Sequence, residues 1–185
     1  MRALYLRMPA VATLVLAVGA GYLIGGIRSA LVVAALTLFI ALSPWWDRAL
    51  VTLYMATFGV VVSCLIGFTV GTLCFQNKKS AAFMLGVCDI FQTFPSFVYL
   101  IPVMMLFGIT DTSVLIAVIV YATIPATRYT IEGLRSVPVG LHEAATMSGV
   151  NKFQRLTKIE FPLAFPHMML GLNQTIVFAL FMVII

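Results

Sequence analysis

The 185-residue chain is 62% hydrophobic and only 9% charged, with a net charge of +5. Soluble domains carry about 25% charged residues, so this composition excludes an ordinary soluble fold and indicates a membrane protein with several spans. The positive charges are dispersed, and no basic patch alternates with aromatic residues as nucleic-acid binding would require. The three cysteines lack metal-ligand spacing, and we interpret them as small buried hydrophobic residues.

The first apolar region covers about residues 9–42 and is too long for one crossing. As a single helix it would measure about 50 Å, against about 30 Å for the hydrocarbon core. Gly25, Gly26 and Arg28 interrupt it, so we predict two N-terminal spans within residues 1–46, at 9–26 and 29–46. A single tilted span is the alternative, but it would leave Arg28 at membrane depth, where a charge is costly.

Residues 47–185 form the second predicted region, with four more spans. The third covers 49–75, the fourth covers 82–107 and is broken by Pro95 and Pro102, and the fifth covers 112–127. A polar loop at about 128–160, bounded by Pro162, leads into a sixth span from Leu163 to Ile185. Because the last apolar run ends without a polar flank, we expect the chain to be C-terminally incomplete.

The basic residues predict the orientation of these spans. The polar loop is rich in lysine and arginine, and a second basic loop, Lys78–Lys79, lies two spans earlier. Loops two spans apart fall on the same side, and the positive-inside rule makes that side the cytoplasm. Asp111 then faces the outside.

The polar loop carries its own helix signals. Residues 141–148 favour a short helix, and Gly149 suits the left-handed residue that ends one. Asn151 followed by Gln154 is typical of a capping box, so a second helix is predicted to begin there and to stop at Pro162. This helix–turn–helix is either a docking site for a soluble partner or an amphipathic helix at the membrane surface.

The spacing E-A-A-x3-G-x9-I-x-x-P within this loop resembles the cytoplasmic signature of permease subunits in ATP-binding-cassette importers. The resemblance implies an all-α, polytopic membrane helix bundle of the type I importer permease class, with a cytoplasmic coupling helix that inserts into a groove of the ATPase subunit. It assigns that ATPase contact to Glu143, Ala144, Ala145, Gly149 and Pro162.

Three other segments narrow the resemblance to permeases for glycine betaine, proline betaine, choline and carnitine: residues 92–102, 125–134 and 171–175. The likeness covers about residues 45–185. It implies a bacterial inner-membrane subunit with no catalytic residue, metal or cofactor of its own, because ATP and magnesium belong to the ATPase. The implied partners are that ATPase, a second permease copy in a homodimer, an extracytoplasmic substrate-binding protein and the lipid bilayer.

Polar residues inside the spans are candidates for a translocation pathway. Gln92, Ser96 and Tyr99 recur at helical spacing and predict one polar stripe, which either faces a pathway or bonds a neighbouring helix. The full candidate set for the pathway is Gln92, Thr93, Ser96, Tyr99, Asn173 and Gln174. Asp89 is interpreted as a helix cap at the cytoplasmic interface, with a functional charge as the alternative.

Two rival functions stay open at this level. The chain has no G-x-x-x-x-G-K-[ST] phosphate loop, so it does not bind ATP by that route. An ion-driven carrier or channel would need acids inside the membrane or an arginine pathway, and Asp89 is the one candidate residue. An importer of another small solute, such as an amino acid or a sulfonate, fits the same motifs.

Overall fold

The computed structural model describes residues 10–185, and every regular element in that range is helical, which confirms the predicted all-α class. The start of the first predicted span, Pro9, lies outside the described residues. The chain divides into two compact units, one ending at Met55 and the other comprising Ala56–Ile185. The elements are α1 (Ala10–Ala41), α2 (Trp46–Phe75), α3 (Lys78–Thr93), α4 (Phe97–Phe107), α5 (Asp111–Arg135), α6 (Val139–Met147), α7 (Lys152–Arg155), a π-helical turn (Leu156–Glu160) and α8 (Phe161–Ile184).

Helix α1 is broken at Gly25 and Gly26, where the sequence predicted a break. Gly26 has φ +68°, a left-handed value that glycine adopts without strain. A methyl group built on Gly21 would lie 3.1 Å from Cγ2 of Val33, whereas these positions would be about 18 Å apart along a straight helix. The two arms of α1 therefore fold back on each other. Their crossing of the membrane as two separate spans stays a prediction.

Within the described residues, four helical stretches are long and apolar enough to cross a membrane: Ala12–Ala41 of α1, α2, α5 and the continuous run Lys152–Ile184. The pair α3 and α4 provides a fifth candidate, although its two helices meet at a bend of 86°. Pro95 lies in that bend, as predicted. The predicted break at Pro102 is wrong, because Pro102 lies inside α4. A membrane helix tolerates the loss of one backbone hydrogen bond when its neighbours compensate for it.

Helix α5 is the centre of the second unit, with thirteen buried residues along its length. Small residues let α2 and α8 approach it closely. A methyl group on Gly67 of α2 would lie 2.4 Å from Cβ of Ala126, and one on Gly133 of α5 would lie 2.8 Å from Cβ of His167 on α8. Helix α5 is thus in close contact with both α2 and α8.

The boundaries predicted for the polar loop at 128 and 160 are wrong at both ends. Helix α5 continues to Arg135, and α8 is continuous with α7, so the irregular segments shrink to residues 136–138 and 148–151. The charged side chains that suggested a loop stabilise a helix instead. Arg128 and Glu132, four positions apart, form an ion pair of 2.9 Å along α5.

The predicted stop at Pro162 is also wrong. The backbone passes from α7 through the π-helical turn directly into α8, and Pro162 occupies the first turn of α8. Phe161 donates its N–H to the carbonyl of Leu156, the i→i−5 bond of a π-helix. The first turn of a helix is where proline is best tolerated. The proline therefore marks a change of helical winding and not the end of the helix.

Candidate functional site

The loop between α5 and α8 is held in a defined shape by its backbone hydrogen bonds. Gly149 donates to the carbonyl of Thr146 at 3.1 Å, and Val150 donates to that of Ala145 at 3.1 Å. This is the Schellman pattern that ends a helix with a left-handed residue. Gly149 has φ +72°, so the left-handed conformation predicted for it is confirmed.

The capping box at the start of α7 is also confirmed. Gln154 donates its backbone N–H to Oδ1 of Asn151 at 2.8 Å, and Asn151 donates its own to Oε1 of Gln154 at 3.1 Å. The two residues satisfy N–H groups that would otherwise lack a partner at the helix start. Helix α6, the turn and α7 therefore form one ordered elbow, residues 139–155. We call it the coupling elbow after the role that the resemblance implies.

The coupling elbow turns large apolar side chains outward. Met147 is 91% exposed and Phe153 is 73% exposed. Glu143, Ala144 and Gly149 are exposed as well, whereas Ala145 is buried at 4%. Pro162 is exposed but lies on α8, beyond the elbow. Of the residues assigned to an ATPase contact by resemblance, Ala145 thus packs inward and the others face outward.

A cluster of polar side chains lies between α3 and α5. The guanidinium of Arg128 forms an ion pair with Asp89, donates to Oε1 of Glu132 at 2.9 Å and donates to Oε1 of Gln92 at 3.1 Å. Arg128 precedes the end of α5 by seven residues, or about 10 Å. We call these four residues the Arg128 cluster.

The interpretation of Asp89 as a helix cap is wrong. The N-cap of α3 is Asn77, whose side chain accepts the N–H of Lys79 at 2.9 Å. Asp89 lies near the other end of α3 and pairs with Arg128. The sequence around Asp89 could not predict this ion pair, because Arg128 lies on another helix, 39 positions later in the chain.

The predicted stripe of Gln92, Ser96 and Tyr99 does not form one helix face, because the bend between α3 and α4 separates its members. Gln92 bonds Arg128, whereas Ser96 and Tyr99 are buried. The hydroxyl of Tyr99 donates back to the carbonyl of Phe91 across the bend. The Tyr99 hydroxyl therefore links the two sides of the bend. A role of Gln92, Ser96 and Tyr99 in a pathway stays a prediction.

The remaining pathway candidates lie apart from this group. Thr93 is exposed and donates its hydroxyl to the carbonyl of Ile90 at 2.7 Å, within its own helix. Asn173 is exposed and Gln174 is partly buried, both on α8. Their place in a pathway is likewise a prediction.

Aromatic rings connect the bent pair to the helices behind it. The rings of Tyr99 and Tyr121 lie 5.2 Å apart, and Tyr121 stacks on Phe178 at 4.7 Å. The contacts run from α4 through α5 to α8. Such pairs stabilise packing beyond the area they bury. Helix α4, which follows the bend, is therefore packed against α5 and, through it, against α8.

Two features of the site were missed by sequence reasoning. Glu160 is buried, and its Oε1 accepts a hydrogen bond of 2.9 Å from Nε of Arg155. The π-helical turn between these residues brings them together, and no simple sequence signal marks such a turn.

Among the residues described, no group of three His, Cys, Asp or Glu side chains is placed to hold a metal ion.

This bundle of apolar helices, with an ordered polar elbow between two of them, is the architecture of a polytopic membrane protein. Residues 59–185, well over half of the chain, match the family described as "Binding-protein-dependent transport system inner membrane component". The chain belongs to that family. The resemblance to importer permeases drawn from its motifs is confirmed.

The chain is similar in sequence to three transport permease proteins. The chain is 89% identical over 185 residues to the trimethylamine N-oxide transport system permease protein of Pelagibacter ubique. The alignment covers 100% of this chain and 26% of that relative. It is 45% identical to the same kind of protein in Ruegeria pomeroyi, over 100% of this chain and 28% of the relative. It is 34% identical to the glycine betaine/proline betaine transport system permease protein of Escherichia coli, over 98% of this chain and 51% of the relative. The chain thus spans about a quarter to a half of the relatives' lengths.

Proposed function

We propose that this chain is part of the permease of an ATP-driven importer for small methylated amines, with trimethylamine N-oxide as the first candidate cargo. The 89% identity to a trimethylamine N-oxide permease over the whole chain is the observation that carries this proposal. Glycine betaine is the second candidate, supported by the 34% identity to a betaine permease. Both molecules carry a methylated nitrogen with positive charge, so the permease accepts one chemical class in either case.

The coupling elbow is the proposed docking site for the ATPase subunit, which binds ATP and magnesium. Exposed Met147 and Phe153 offer apolar anchors, and the Schellman turn at Gly149 keeps α6 and α7 in a fixed relation. A rigid elbow transmits displacement better than a flexible loop does. The ATPase moves the permease because its ATP-bound form stabilises one arrangement of the elbow over another.

The proposed path for this displacement runs along α5. Three residues separate the end of α5 from the start of the elbow, and the other end of the elbow is continuous with α8. Arg128 joins α5 to Asp89 and Gln92 on α3, just before the bend that leads into α4. A shift of the elbow therefore reaches the bend by way of the Arg128 cluster. This pairing also neutralises Asp89, which speaks against an ion-driven carrier that depends on a free carboxylate there.

The assembly we propose contains a second permease copy, two ATPase subunits and an extracytoplasmic substrate-binding protein. The family description names dependence on a binding protein. The basic loops then face the cytoplasm, where the ATPase resides.

The test is uptake of labelled trimethylamine N-oxide by proteoliposomes that contain the assembled system, with ATP enclosed and binding protein added outside. We expect ATP-dependent uptake that an excess of unlabelled trimethylamine N-oxide abolishes and that glycine betaine reduces more weakly. Glu143→Lys places a reversed charge on the exposed face of α6 and is expected to reduce uptake strongly without loss of the protein from the membrane. Uptake that needs an ion gradient and no ATP would refute the proposal.

A further inference from the structure

A cleft of about 890 Å³ opens between the ends of α2 and α5, the start of α3 and the coupling elbow. Its wall carries four cationic side chains, those of Lys78, Arg135, Lys152 and Arg155. Glu160 is the one acid in the lining, and it pairs with Arg155 at 2.9 Å. The cleft therefore keeps an excess of three positive charges.

Two of the four cations are held in place by hydrogen bonds within the fold. Arg135 donates to the backbone carbonyl of Lys78 at 3.2 Å, which ties the end of α5 to the start of α3. Arg155 is fixed by the buried carboxylate of Glu160. Lys78 and Lys152 are exposed and face the same cleft from two different elements. The arrangement concentrates charge around one cavity.

Apart from Gln76, the rest of the lining is apolar, and it includes residues at the ends of candidate membrane spans. Phe75 ends α2, Leu134 lies next to the end of α5, and Leu156 opens the turn that leads into α8. The cleft thus combines cationic and apolar side chains at the ends of candidate spans, where lipid headgroups are expected. Basic pockets between membrane helices on the cytoplasmic side are suited to anionic lipid headgroups.

We propose that this cleft binds the phosphate headgroup of an anionic phospholipid. Lys78, Arg135 and Lys152 contact the phosphate, and the first methylene groups of the acyl chains cover Phe75 and Leu156. Val139, the first residue of α6, also lines the cleft. The bound lipid therefore supports the coupling elbow from the membrane side. This site is independent of the cargo. It lies beside the proposed ATPase contact, because Val139, Lys152, Phe153 and Arg155 belong both to the lining of the cleft and to the coupling elbow.

The experiment measures lipid retained by the purified full-length transporter, with native mass spectrometry after titration with phosphatidylglycerol or phosphatidylcholine. The variant K78Q/K152Q removes one cation from each of two walls of the cleft. The matched control K79Q/K158Q removes the same charge from neighbouring exposed positions outside its lining. We expect the wild type and the control to prefer phosphatidylglycerol, and K78Q/K152Q to bind it about tenfold more weakly or worse.

Equal weakening in both double variants, or equal binding of the two lipids by the wild type, would overturn the proposal. Glycerol phosphate at millimolar concentration distinguishes a free phosphate from a lipid: full displacement of phosphatidylglycerol by it contradicts a lipid site. Binding of phosphatidylglycerol to the permease alone, but not to the complex with its ATPase, would show that an acidic protein surface occupies the cleft instead. Arg135→Gln serves as a second variant, with the same expected loss, if K78Q/K152Q does not assemble.

Discussion

The guanidinium of Arg128 on α5 forms an ion pair with the carboxylate of Asp89 on α3. The two residues are 39 positions apart in the sequence. Their ion pair joins α5, which leads to the coupling elbow, to α3, which leads to the bend. The same guanidinium donates to Glu132 and Gln92. One side chain therefore connects the elbow side of the protein to its broken span.

Breaking this pair is expected to uncouple the elbow from the bend. Asp89→Asn and Arg128→Gln should each lower ATP-dependent uptake several-fold, and the double variant should be no worse than the more impaired single variant. The pair is partly exposed, with 31% of the Arg128 and 58% of the Asp89 side chain accessible, so the coupling in thermal stability is expected to be about 1 kcal/mol. A double-mutant cycle measures both quantities.

Lys79→Gln is the control for this cycle, because Lys79 is an exposed cation on α3 away from the Arg128 cluster. Additive losses for Asp89→Asn and Arg128→Gln would show that the two residues act separately, and the proposed path through the cluster would then be wrong.

Close packing of α2 against α5 is the second feature open to test. A methyl group on Gly67 would lie 2.4 Å from Cβ of Ala126 and 2.9 Å from the backbone nitrogen of Thr127. Gly67→Ala is therefore expected to destabilise the protein by about 1–3 kcal/mol through overpacking. Gly86→Ala makes the same change on α3, where no atom lies within 4 Å of the new methyl group, and it should be neutral or stabilising by up to about 1 kcal/mol. Thermal unfolding in detergent measures both, and equal melting temperatures would contradict the packing described.

The left-handed turn of the elbow gives a third prediction. Gly149 has φ +72° and open space around its Cβ position, so Gly149→Ala introduces backbone strain of about 1–2 kcal/mol and no steric clash. We expect reduced ATP-dependent uptake with normal membrane insertion. Gly149→Asn should be milder, because asparagine adopts left-handed conformations more readily. Similar uptake by Gly149→Ala and the wild type would show that the shape of the turn is unimportant.

The capping box provides a fourth prediction. Asn151→Ala removes the acceptor for the N–H of Gln154 and is expected to destabilise the start of α7 by about 1 kcal/mol. Amide hydrogen exchange at Gln154 should become faster by about fivefold to tenfold. Asn151→Asp keeps an acceptor and should restore protection. Unchanged exchange in Asn151→Ala would mean that tertiary packing alone holds the elbow.

Local signals in the sequence predicted the local features of this fold. The glycine pair at residues 25–26, the turn at Gly149 and the capping box at Asn151 each depend on a few neighbouring residues, and each is present. The Arg128–Asp89 pair depends on two helices meeting, so it could not be derived from either segment alone. The end of α5 was misplaced because polarity alone does not distinguish a loop from a helix that carries an ion pair such as Arg128–Glu132.

Cross-linking of the coupling elbow to the ATPase subunit tests the central claim most directly. Met147→Cys places a thiol on the outward face of α6, where the native side chain is 91% exposed. Leu106→Cys places one on α4, at a side chain that is 78% exposed and far along the chain from the elbow. In native membranes a short bifunctional maleimide should link Met147→Cys to the ATPase, with a yield that changes when ATP is added, and should not link Leu106→Cys. A thiol at position 147 that reacts only with reagents confined to the outer side of the membrane, or that never links to the ATPase, would contradict the account.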